Sequence, residues 1–181
     1  MRKFFKNEQS GRSMVEMLGV LAIIGVLSVG GISGYSKAMA KYKLTKAQDQ
    51  MAMILINIRT AFAAAPSYAD LDNTNAILLN IVPGDMLPGG LGTGSTIKNA
   101  FGGGVNISAT GDDNTQFKIT YEDLGKEACI SLLTSDWGTD GLVNVVMGTL
   151  EGTPSKKITV IEAAGKTGCA ATGNSITWTY Y

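Results

Sequence analysis

The hydrophobic pattern changes character twice along the chain. From Met17 to Ile32 no charge interrupts a run of Leu, Ile, Val, Ala, Met and Gly with a lone Ser. At about 1.5 Å per residue, a helix over this run and its weakly polar flanks covers most of a ~30 Å hydrocarbon layer. Backbone amides in lipid have no partner but each other, so such a span must be helical. Beyond Tyr35 the pattern becomes one-sided: Leu44, Ala47, Met51, Ile54, Ile58 and Phe62 recur at steps of three and four, one face of an amphipathic helix. Lys43, Lys46, Gln48, Asp49, Gln50 and Asn57 take the other positions. One helix is therefore predicted from Ser13 to Ala64, ended by Pro66.

Past Pro66 the period shortens. Asp70–Ile81 reads as a short second helix with Asp70 or Asp72 as N-cap, followed by the exposed Pro/Gly loop of residues 83–96. Val105–Ala109 and Gln116–Tyr121 alternate as strands joined by a turn at residues 110–114. Glu122–Ser135 is predicted helical and carries Cys129; Leu142–Leu150, Lys157–Ile161 and Ser175–Tyr180 are predicted strands. The expected fold is α+β: a long N-terminal helix packed on an antiparallel sheet with short helices inserted.

Composition narrows the chemistry. The 181 residues are 45% hydrophobic with zero formal charge, which suits one domain plus a membrane segment and offers no electrostatic case for nucleic acid. There is no histidine, which excludes His-based triads and metal sites, and two cysteines without a C-x-x-C give no zinc framework. Asp112, Asp113, Glu122 and Asp123 are explained by a turn and a helix start rather than by calcium, and Trp137 and Trp178 by core or subunit contacts. The glycine-rich loop lacks a phosphate-binding pattern. No enzyme, metal or cofactor is expected. Cys129 and Cys169 are either free thiols or, in an oxidising compartment, a disulfide.

One acid breaks the apolar segment. Glu16 stands at its mouth, after a short basic leader ending in Gly11. Cleavage after Gly11 would make Arg12 the first residue and Glu16 the fifth. A leader ending in Gly, a Glu at that offset and a long apolar helix together resemble the signal of type IV prepilins. The resemblance implies a leader (1–11), a transmembrane and assembly segment (12–35) and a globular head (36–181). It implies cleavage between Gly11 and Arg12 by an inner-membrane prepilin peptidase, N-methylation of Arg12, and docking of Glu16 on a neighbour's new amino terminus.

The family usually has Phe or another apolar residue where this chain has Arg12; Arg12 and Glu16 lie four apart and can also pair within one subunit. Gly30 and Gly34 have the small-residue spacing that lets membrane helices approach closely, and Gly30–Gly31 is where bending is expected. Basic residues flank the run on both sides, so charge does not orient it; the resemblance places the leader in the cytoplasm.

The order of elements resembles the type IVb pilins. There, a cysteine on a helix is tied to one near the last strand, which implies a Cys129–Cys169 disulfide. The resemblance further implies a homopolymer assembled by inner-membrane machinery, moving from membrane to an extracellular pilus that serves adhesion, aggregation or related tasks. A minor pilin or type II secretion pseudopilin is the alternative within the family. Outside it stands a secreted or signal-anchored adhesion domain, cut at Ala38–Met39–Ala40. The apolar run is long for a secretory signal, and the helical pattern continues through that supposed cut.

Overall fold

The computed structural model describes residues 10–90, 92, 94–138 and 140–181, with side chains from Met14 onward. The first nine residues of the expected leader lie outside that range. Two units are distinguished, Met1–Lys41 and Tyr42–Tyr181. Helix α1, Ser10–Ala61, belongs to both.

In the second unit, the head, α1 contributes the stripe the periodicity predicts: Ala47, Met51, Ile54 and Ile58 are buried, with Leu44 and Phe62 at the edges. The helix gives way to turns at Phe62–Ala65, and Pro66 follows. The second helix is shorter than expected. α2 is Asn73–Leu78, and Asp72 rather than Asp70 caps it, accepting from the Asn75 N–H at 2.8 Å. Asp70 takes a left-handed backbone (φ 67) and so serves the turn.

Five antiparallel strands form the sheet: β1 Val105–Thr110, β2 Gln116–Leu124, β3 Leu142–Met147, β4 Leu150–Gly152 and β5 Asn174–Tyr180, in the order β1-β2-β5-β3-β4. The last strand of the chain thus lies at the centre of the sheet. Alternation places Phe117, Ile119 and Tyr121 of β2 and Ile176, Trp178 and Tyr180 of β5 in the core, beside the α1 stripe. The other face carries polar cross-strand pairs such as Thr120–Thr177, whose hydroxyls are 2.8 Å apart.

Three expectations need correction. Glu122–Leu124 is strand, not helix: Leu124 pairs with Asn174 beyond a bulge, where Asp123 adopts φ 55, and α3 is Lys126–Thr134. The run Leu142–Leu150 is a hairpin, because Gly148 (φ 58) turns the chain between β3 and β4. Lys157–Ile161 is not a strand. Thr159 caps α4, Val160–Ala164: its hydroxyl oxygen accepts from the Glu162 N–H, while the Glu162 carboxylate accepts from the Thr159 N–H at 2.8 Å. That reciprocal cap outweighs the β-branched Thr-Val-Ile run.

Candidate functional site

Two features carry chemistry beyond packing: the apolar segment of α1 and the cystine-linked lobe of the head.

In the first unit, the large apolar side chains from Met14 to Ile32 are uncovered, ranging from Ile24 at 52% to Val26 at 76% exposed. Burying each is worth about 1.5–3 kcal/mol, so the segment requires a cover other than its own chain. α1 is long and apolar enough to cross a membrane by length and composition. Its helical hydrogen bonding runs unbroken through Ala38–Met39–Ala40 and through Gly30 and Gly31, the expected bend.

A methyl group added at Gly19, Gly25, Gly30, Gly31 or Gly34 would meet nothing within 4 Å. Contacts inside the chain therefore do not explain the glycines. Glu16 is exposed on the same segment, while Gly11 and Arg12 lie in the first turns of α1, the Arg12 side chain outside the described range.

In the head, Cys129 on α3 and Cys169, in the loop before β5, form a disulfide spanning 40 positions of sequence. Both are buried. The Cys169 N–H donates to the Ala163 carbonyl at 2.7 Å, anchoring α4 to the cystine. Asn174 does the rest: its side-chain oxygen accepts from the Ala170 N–H at 2.7 Å, and its amide donates to the carbonyls of Leu124 and Ala170 at 2.7 and 2.9 Å. A buried amide with its donors and acceptor filled fixes the loop between cystine and sheet.

Gly168 lies so close to Ala163 that an added Cβ would overlap its carbonyl oxygen. Gly168→Ala is expected to destabilise the head by about 1–3 kcal/mol. The check is thermal unfolding of the detergent-solubilised chain, with Gly173→Asn, an exposed left-handed position, as the tolerated control.

Sequence reasoning missed a third feature. Asp85, in the turn Gly84–Met86, forms an ion pair with Lys46 Nζ at 2.8 Å and accepts from Gln50 Nε2 at 2.9 Å. The Lys46 ammonium holds the Asp85 carboxyl below its usual range, and the amide adds to this. The periodicity places Gln50 off the apolar face of α1, yet it is 4% exposed and its Oε1 has no partner. Gln50 lies three residues after Ala47 and four before Ile54, at the flank of the apolar stripe, and its partner Asp85 stands thirty-five residues on. Burial of the Tyr180 phenol pushes its pKa up to about 12, against the opposing charge of Arg59.

Comparison with known proteins places these features. A family model described as PilS N terminal matches residues 41–181. The major structural subunit of the bundle-forming pilus of Escherichia coli O127:H6 is 26% identical over 188 residues, covering 97% of this chain and 95% of that one. The toxin coregulated pilin of Vibrio cholerae O1 is 26% identical over 157 residues, covering 81% and 69%. Among solved structures, a type IV b pilin from Salmonella typhi superposes with a TM-score of 0.58 at 20% identity, covering 77% of this chain and 98% of that one. A type IV pilin from Vibrio cholerae El Tor gives 0.54 at 18% identity, covering 77% and 99%. The chain belongs to the PilS family and has the fold of the type IVb pilins.

Proposed function

We propose that the chain is the repeating structural subunit of a type IV pilus, cleaved after Gly11 by a prepilin peptidase and polymerised through α1. The observation that carries the reading is the uncovered apolar segment from Met14 to Ile32. Before assembly its cover is the inner membrane; afterwards it is the same segment of other copies. The exchange of lipid for protein brings no net hydrophobic gain, since lipid tails are as apolar as Leu, so packing must drive it. Glycines that no contact within the chain requires, Gly30 and Gly34 above all, permit that close approach.

Glu16 then provides register. A carboxylate at the edge of hydrocarbon is costly unless paired, and the amino terminus freed at Arg12 of a neighbour is a matching cation. The cystine-tied lobe supplies an exported surface that resists unfolding. Abundant thin fibres containing this chain in sheared surface material, seen by electron microscopy, support the reading; a chain recovered only as monomer contradicts it. Gly11→Ala is expected to abolish cleavage, leaving precursor-sized protein on a gel and no fibres, and a mature-sized band would refute the site.

A further inference from the structure

A cleft of about 430 Å³ opens beside the start of the head portion of α1, lined among others by Lys43, Lys46, Gln50, Asp85 and Lys98. Three lysines face one aspartate there, and Asp85 is already engaged by Lys46 and Gln50. Lys98 is held in place by its backbone, its N–H donating to the Met86 carbonyl at 2.8 Å. Among the described residues, neither Lys43 nor Lys98 has an ion-pair partner. The Gln50 amide, bonded to Asp85, keeps that carboxylate turned toward α1. The cleft therefore suits an anionic group.

Such a group is displayed elsewhere on the head. The turn between β1 and β2 exposes Asp112, Asp113 and Asn114, with Asp113 and Asn114 in left-handed backbone (φ 54 and 56). Neither aspartate has an ion-pair partner among the described residues. This turn is fastened to the segment just beyond α1: the Tyr68 N–H donates to the Asn114 carbonyl at 2.8 Å, and the Tyr68 ring lies 5.5 Å from that of Phe62. From Lys46 to Ala61 the helix rises about 22 Å, so cleft and turn stand at opposite ends of the head portion of α1 and cannot satisfy each other within one chain.

We propose that the basic cleft of one subunit receives the Asp112–Asp113 turn of a second copy, stacked head to tail along the direction of α1. Lys43 and Lys98 meet the carboxylates. Complementary patches at opposite poles form a heterologous contact, which repeats without closing and generates an open filament. The inference rests on the subunit reading above and adds an electrostatic contact between heads to the packing of the apolar segments.

The test uses sheared wild-type filaments treated with a carbodiimide, which joins touching carboxylates and amines without a spacer. Mass spectrometry of the digest is expected to find Lys43 or Lys98 joined to Asp112 or Asp113 of another copy. Filaments in which these lysines join only other carboxylates, or none, overturn the inference alone; a wild-type chain that forms no filament overturns the subunit reading with it.

Charge exchange gives an independent arm. Lys43→Glu with Lys98→Glu is expected to lower filament yield about tenfold at unchanged subunit level, because like charges are then juxtaposed. Adding Asp112→Lys with Asp113→Lys is expected to restore it. Full yield without the second pair, or a loss the second pair does not repair (the behaviour of a site for a free anion), overturns the contact. Should the lysine variant fail to accumulate, Asp112→Lys with Asp113→Lys alone, on an exposed turn, must show the same loss.

Discussion

Glu16→Ala is expected to leave leader cleavage intact while cutting incorporation into filaments by about two orders of magnitude. The size follows from what remains rather than from what is removed. Deleting the acid leaves a neighbour's amino terminus unpaired in apolar surroundings, and breaking a desolvated pair from one side costs about 3–5 kcal/mol. Glu16 is exposed and lies outside the Tyr42–Tyr181 unit. The variant subunit should therefore accumulate in the membrane at normal level and mature size, with sheared filaments nearly absent. Glu16→Asp, which keeps the charge on a shorter stem, should retain part of the yield. Normal yield from Glu16→Ala would instead favour a carboxylate that only reaches for headgroups.

The second large effect concerns the cystine. Cys129→Ser or Cys169→Ser releases a loop closed across 40 positions, for which the chain-entropy relation gives about 4 kcal/mol. Native domains hold only about 5–15 kcal/mol in all, so most of the margin can be lost. For a head of this size the midpoint of thermal unfolding should fall by about 10 °C or more, and the variant should be degraded before assembly. Reduction of the wild-type chain in mild denaturant should reproduce the shift. An unchanged midpoint in both experiments would mean that Asn174 and the α4 anchor hold the lobe by themselves.

Legibility followed the range of the forces involved. The buried stripe from Leu44 to Phe62 was readable because helical periodicity is local and its residues are unambiguous. The hairpin of β1 and β2 was readable for the same reason: alternation, a polar turn, alternation. Misreadings arose where two local signals competed. At Thr159 a reciprocal cap defeated a β-branched run, and at Glu122–Leu124 a positive-φ bulge extended a strand into a stretch with helical spacing.

Contacts distant in sequence were invisible. Nothing near Gln50 announces Asp85, nothing near Asn174 announces Leu124, and the central place of β5 in the sheet follows from pairing alone. The functional segment was the easiest part to read, because its signal is an uninterrupted apolar run. Among the described residues that same run is exposed, as the proposed packing between copies requires.

The most direct test of assembly through a freshly cut apolar helix is the amino-terminal sequence of the subunit taken from sheared surface filaments. A start at Arg12, with or without a methyl group, is the predicted result. A subunit that still begins at Met1, or one that begins at Lys41 with the apolar segment removed, would contradict it.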